Sequence, residues 1–166
     1  MAFDGFLKFG DGSKVKGESL DARHPDEIQL VSFSLTASNP STAGGATTGS
    51  AAGRVKFSTF NIRKRVDKAS AALLQACAAG DKFDRATVTV RKAGGKVALE
   101  YLVYTFEQVC VDGITTSGEA ASADDVTEDV QLSFATVHLK YTPQRADGAG
   151  DSPIEGGWDL TRNRPK

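Results

Sequence analysis

Residues Val97-Ala-Leu-Glu-Tyr-Leu-Val-Tyr-Thr-Phe-Glu107 place apolar side chains on both phases of a period-2 repeat, with Val97, Leu99, Tyr101 and Val103 on one and Leu102, Tyr104 and Phe106 on the other. A run this dense in β-branched and aromatic residues reads as a strand. Its two apolar faces predict a strand covered on both sides. Immediately upstream, Ala86–Lys92 sets Val88 and Val90 against Thr87, Thr89 and Arg91, and Ala93-Gly94-Gly95 supplies turn chemistry, so the two runs are expected to form a β-hairpin. Immediately downstream, Val109–Thr115 is a further predicted strand, entering the turn Asp112-Gly113.

The same signal recurs at Phe3–Phe9, Glu27–Ala37, Arg54–Lys64 and Val126–Tyr141, with Gly10-Asp11-Gly12 and Ser117-Gly118 as turns. In the last of these runs the apolar phase moves from Val130, Leu132 and Phe134 to Val137, Leu139 and Tyr141, which implies a bulge near Ala135 or a change in the covered face. Arg54–Lys64 shows a similar move, from Val55 and Phe57 to Phe60 and Ile62. A small barrel with a single buried face would alternate more cleanly. Part of the outer surface is therefore expected to lie under a helix or another subunit, in an oligomer built through sheets.

A single helix is predicted. Asp67–Gly80 is rich in Ala and Leu and free of β-branched residues. Asp67 or Ser70 can supply the N-cap oxygen and Gly80 the left-handed C-terminal residue. Ala69, Leu73, Ala76, Cys77 and Gly80 fall along one stripe, with Leu74 beside it. Two segments stand outside this regular part. Ser38–Gly53 contains no large apolar side chain and reads as a mobile loop. The tail Pro143–Lys166 carries the only tryptophan, Trp158, within Gly156-Gly157-Trp158-Asp159-Leu160, which suggests an anchor on the rest of the chain or on a neighbouring subunit.

Composition narrows the function. A chain of 166 residues, expected to be one domain over 1–166, can bury about 70% of its unfolded surface without covalent staples. Its 20 basic and 21 acidic residues give no electrostatic footprint for nucleic acid or an anionic membrane. The N-terminus has no signal-peptide pattern and no stretch approaches a membrane span, so cytoplasmic synthesis is expected. Cys77 and Cys110 sit among small or apolar neighbours and read as core residues.

Enzyme chemistry finds no support in the motifs. Neither a phosphate-binding loop nor Gly-x-Ser-x-Gly occurs. His24 and His138 lack partners at metal-ligand spacing and read as surface or interface histidines. Asp124, Asp125, Glu128 and Asp129 lack the order of a calcium loop and read as a solvated turn. Arg63-Lys64-Arg65 with Lys68 reads as a solvated face, since no aromatics interleave to stack bases. Catalytic, cofactor and metal residues are accordingly expected to be none.

Several short motifs, in order along the chain, carry a resemblance. Phe6-Leu7-Lys8, Lys16-Gly17-Glu18-Ser19, Asp26-Glu27-Ile28, Val66-Asp67-Lys68-Ala69-Ser70 and Ala76-Cys77-Ala78-Ala79-Gly80 are followed by Val90-Arg91-Lys92-Ala93-Gly94-Gly95, Glu100-Tyr101-Leu102, Val130–Ala135, Tyr141-Thr142-Pro143-Gln144 and Gly156-Gly157-Trp158. Together they resemble the haemolysin-coregulated protein (Hcp) family, the inner-tube proteins of type VI secretion. One departure is Ala71, where the family often has Pro; this makes Ser70 the expected N-cap.

The resemblance implies a compact, phage-tail-tube-like β-barrel with one flanking helix. It further implies six copies in a ring, and rings stacked into a hollow tube. That tube is sheathed by a contractile protein, capped by a spike and exported without a signal peptide, with small effector cargo in its lumen. A secreted effector, or an effector carrier or chaperone, is the alternative, although Pro143–Lys166 is too short for an added catalytic domain. Within this reading Ser32, Ser34 and Thr36, opposite Val31, Phe33 and Leu35, are the candidate lumen face. Ser38, Asn39, Pro40, Thr42, Gly44, Gly45, Thr47 and Thr48 are the candidate ring-stacking loop, and Trp158 is the candidate tail anchor.

Overall fold

The computed structural model describes residues 4–40, 54–92, 98–118 and 126–166. Strands β1 (Asp4–Phe9), β2 (Ile28–Ser34), β3 (Ala37–Ser38), β4 (Lys56–Phe57) and β5 (Phe60–Arg65) precede helix α1 (Ala69–Ala79). Strands β6 (Lys82–Lys92), β7 (Leu99–Ser117), β8 (Thr127–Ser133), β9 (Thr136–Tyr141), β10 (Ile154–Asp159) and β11 (Arg164–Pro165) follow. The ladder runs β7-β6-β1-β2-β5-β8, and β8 returns to β7, closing a six-stranded antiparallel barrel. The expected hairpin is β6 and β7, paired from Lys92 opposite Leu99 down to Lys82 opposite Cys110; its tip, including Ala93-Gly94-Gly95, lies outside the described residues.

The strands predicted at Val97–Glu107 and Val109–Thr115 belong to one strand. Gln108 joins them at φ 53°, and the inward phase steps there from Phe106 to Val109 without a break in pairing to β6. Strand β6 also begins at Lys82 rather than Ala86, because Phe83 finds Val109 across the ladder. Along its other edge β7 has two partners, β9 over Leu102–Glu107 and β8 over Cys110–Ser117. This explains the phase change near Ala135: the predicted strand Val126–Tyr141 breaks at Phe134 and Ala135, with β8 also paired to β5 and β9 to β10. Arg54–Lys64 likewise divides, and β4 pairs only with β3. The tail, read as irregular, contributes β10 and β11 as an extension of the sheet beyond β9.

The barrel is filled by Phe60, Ile62, Val88, Phe106, Val130 and Leu132, all at most 1% exposed. The Phe60 and Phe106 rings lie 4.7 Å apart and Phe106 and Phe134 4.8 Å apart. Burying each such side chain is worth about 1.5–3 kcal/mol. Helix α1 packs on β7 and joins the same core through Ala69, Leu73 and Ala76. Cys77 is half-buried, while Leu74 is exposed. Gly80 ends the helix at φ 69°, a left-handed conformation that favours glycine. The N-terminus corrects the expected cap: the Asp67 carboxylate accepts the Ala69 N–H at 2.9 Å, and the Ser70 hydroxyl, inside the first turn, accepts the Asp67 N–H at 3.0 Å. The two residues thus share the work of a capping box.

Candidate assembly surfaces

The outer face of β2, β5 and β8 is polar by alternation. Ser32 lies opposite Arg63 and Arg63 opposite Asp129; one pair further along, Ser34 faces Asn61 and Asn61 faces Gln131. Arg63 donates through Nε and Nη2 to the two carboxylate oxygens of Asp129, both at 2.9 Å. Hydrogen bonding to Arg63 holds the Asp129 carboxyl below the usual carboxylate range. The result is a polar wall of hydroxyls, amides and the Arg63–Asp129 pair, with Arg65 exposed on the same face opposite Thr127. Ser32 and Ser34 are exposed on it, whereas Thr36 falls beyond the end of β2, where its N–H donates to Ser58 Oγ at 3.0 Å. A register shift between Leu30 and Ser32 also turns Val31 outward, 47% exposed, so Val31 does not share a face with Phe33 and Leu35 as expected.

Beneath this wall the basic run departs from a solvated face. Lys64 is fully buried, and its ammonium donates to Ser70 Oγ at 3.0 Å and Glu128 Oε2 at 2.8 Å and pairs with Asp67 Oδ1 at 2.8 Å. A lysine has three N–H donors, so each finds an oxygen. Glu128 also receives Ser70 Oγ at 2.7 Å and Thr116 Oγ1 at 3.3 Å. Burial works to raise the Glu128 carboxyl, but these hydrogen bonds and the Lys64 charge outweigh it and leave its pKa below the ordinary value. Glu128 is therefore a buried ion-pair partner rather than part of a solvated turn. The network ties β5, β8 and the start of α1 into one unit.

Residues 13–27 form a strap across the outside of the barrel. A Cβ on Gly17 would lie 2.3 Å from the Glu27 carbonyl oxygen, so this approach requires glycine. The strap covers Phe6, whose ring stacks on His24 at 4.4 Å and carries the Arg91 guanidinium 4.7 Å from its centroid. Arg91 bonds Asp4 Oδ2 at 2.7 Å and Asp21 Oδ2 at 2.6 Å. The hydrogen bond from Arg91, with the Arg23 backbone N–H, pulls the Asp21 carboxyl down to about 2. His24, expected at the surface or at an interface, is instead buried within the chain, only 6% exposed, with Nδ1 at 2.9 Å from Glu27 Oε2 and Nε2 at 3.4 Å from Glu100 Oε1. His138 is half-buried on β9, its Nε2 at 3.6 Å from Glu155.

Trp158 sits in β10 opposite Val137 and packs on the barrel core together with Leu160. Arg54 donates to the Leu160 carbonyl at 2.8 Å, tying the tail to the chain entering β4. Ser38 is in β3, and Asn39 and Pro40 are exposed beyond it; Thr42, Gly44, Gly45, Thr47 and Thr48 lie outside the described residues. Cys77 and Cys110 are both free thiols. Among the described residues no three His, Cys, Asp or Glu side chains converge as a metal site, and no helix is long and apolar enough to cross a membrane.

Residues 6–141 match the family model described as type VI secretion system effector, Hcp. The chain is 40% identical to the protein hcp1 of Pseudomonas aeruginosa over 164 residues, 98% of each chain. Its fold superposes on a solved type six secretion system protein with a TM-score of 0.91 at 29% identity, covering 99% of this chain and all of the other. It superposes on Hcp1 of Salmonella typhimurium with a TM-score of 0.80 at 33% identity, covering all of both chains. With a family match over most of its length and the barrel, helix and strap in place, the chain belongs to the Hcp family of type VI secretion proteins.

Proposed function

We propose that residues 1–166 act as one tube domain, a structural and non-enzymatic subunit that closes six copies into a ring and stacks rings into a hollow tube. The tube assembles in the cytoplasm within a contractile sheath, under a spike, and leaves the cell through the type VI machine with small effectors in its lumen. The observation that carries this reading is the polar wall of β2, β5 and β8. Its exposed hydroxyls and amides, with the Arg63–Asp129 pair and Arg65, present hydrogen-bonding groups in place of apolar ones, which suits the lining of a passage for varied cargo. Ser32 and Ser34 belong to that lining; Thr36 stands at its edge. The loop from Ser38, Asn39 and Pro40 through Thr48 contributes the ring-to-ring contact, and Trp158 anchors the tail.

Negative-stain imaging of purified protein tests the reading. Six-fold annuli, alone or stacked, are the expected particles. Compact monomers under all conditions would remove it. A freely acting effector would be a monomer whose activity survives loss of assembly.

A further inference from the structure

The strap over residues 13–27 holds a histidine whose second nitrogen is left unsatisfied. His24 stacks on Phe6 with the two rings within 8° of parallel. Its Nδ1 lies 2.9 Å from Glu27 Oε2, on the strap itself. Its Nε2, shielded from solvent, faces Glu100 Oε1 of β7 at 3.4 Å without forming a hydrogen bond. Two carboxylates from two elements thus flank one imidazole, and neither has a Lys or Arg partner among the described residues.

A neutral imidazole has a single N–H, so only one of the two carboxylates can accept from it, and the bare nitrogen turns its lone pair toward the other. An imidazolium has an N–H for each. The two states of the ring therefore hold different elements together. A proton on Nδ1 bonds within the strap, whereas a proton on Nε2 reaches across to β7.

The other charges around the ring are committed elsewhere. From β6, the Arg91 guanidinium lies over Phe6 and bonds to Asp4 of β1 and Asp21 of the strap. Lys8 of β1 pairs with Asp11 at 2.9 Å. Burial raises the Glu27 carboxyl more than His24 and Lys8 lower it, and Glu100 adds to the rise. Glu100 stands opposite Arg91 across the β6–β7 ladder. The strap consequently grips both strands of this hairpin: β6 through Asp21 and Arg91, and the start of β7 through His24 and through Arg23, whose Nη1 donates to the Ala98 carbonyl at 3.4 Å.

We propose that His24 is a proton-operated latch. Carrying a proton on each ring nitrogen, it ties the strap to Glu100 at the tip-side end of the β6–β7 hairpin; losing one releases that tie and loosens the strap over Phe6. The latch is complete within a single chain and does not depend on the self-assembly reading. Imidazoles ordinarily change charge between about pH 5 and 8, so the strap is held on the acid side of that range and loosened on the alkaline side. The Arg91–Asp21 pair keeps its charges throughout, so the strap loosens around His24 without detaching.

Hydrogen exchange of the wild-type chain, followed by mass spectrometry across that range, tests the latch. The reporting amides are Gly17, Ser19 and Asp26, which donate to the carbonyls of Asp26, Glu27 and Ser19. Once the intrinsic pH dependence of exchange is removed, strap protection is expected to fall about three- to fivefold as pH rises, the scale of a half-exposed ion pair. Peptides over β5 and β8 should keep theirs. Glu100→Gln, a change at a side chain 39% exposed, should remove the step, because a neutral amide can pair with either state of the ring. NMR of isotope-labelled histidine follows the two rings of the chain, with His138→Gln identifying the His24 signal, whose titration should coincide with the loosening. Strap protection that stays constant or rises toward alkaline pH, a step that persists in Glu100→Gln, or a loosening that does not coincide with the His24 titration would overturn the latch.

Discussion

One strand, β7, serves two regions of unlike completeness. Over Cys110–Ser117 it closes the barrel against β8, and the residues turned inward there, such as Val111 and Leu132, are covered by the chain's own core. Over Leu102–Glu107 the same edge pairs with β9, and the sheet continues outward to β10 with its apolar phase only half covered. The barrel core is thus covered by its own strands, while among the described residues the apolar phase of the extension is covered only in part. Stability should reside in the first region and assembly in the second.

The sharpest way to separate them is to truncate along the shared apolar phase. Phe106→Ala, on the row of the extension that is buried in the barrel core, is expected to cost about 3–5 kcal/mol in denaturant unfolding, as buried aromatic truncations do. Leu139→Ser, on the half-covered row, should lose far less stability yet reduce assembly in sedimentation. Equal stability losses at both positions would erase the distinction.

The buried ammonium tests the barrel side alone. Lys64→Met leaves Glu128 and Asp67 without their cation and should cost about 3–5 kcal/mol, the usual penalty for breaking a buried pair. The folded Glu128 pKa lies below its unfolded value, so its contribution is present above the ordinary carboxylate range and is lost as pH falls through the depressed folded value. Wild type should lose stability with that acid-side slope, and the slope should shrink in Lys64→Met; an unchanged slope would mean that Glu128 titrates independently of Lys64. At the strap, the Asp21 contribution should persist until pH falls toward about 2, and Asp21→Asn should abolish it, read as faster hydrogen exchange in residues 13–27.

The smallest expected effect sits at the joint between the regions. Gln108 holds φ 53°, which most side chains resist, so Gln108→Gly should be neutral or stabilising by a few tenths of a kcal/mol. A clear destabilisation there would show that the Gln108 side chain, rather than its backbone, maintains the change of partner.

Legibility in the sequence followed the same division. Local signals read well: the period-2 runs, the Gly80 helix end and the phase change near Ala135 all correspond to features of the fold. Readings that depended on distant partners did not. Lys64 and Glu128 looked solvated because strand periodicity says which face a residue occupies but not that an oppositely charged residue 64 positions away shares it. His24 looked exposed beside Pro25 because only the folded strap brings it over Phe6. Val31 left its expected face because the bulge at Leu30–Ser32 falls where Val31, Phe33 and Leu35 keep an unbroken alternation in the sequence. Of the tail's two strands, β10 was hidden by glycines that weaken the β signal and β11 by its two-residue length, although Trp158 pointed to a docked segment. The family was legible through many short motifs in order, none of which identifies a contact.

Sedimentation velocity of the wild-type chain across a range of concentrations tests the central claim most directly. The proposed tube-subunit reading predicts a discrete particle of six times the 17.5 kDa chain mass, with longer stacks as concentration rises. A single species of 17.5 kDa at every concentration would contradict it.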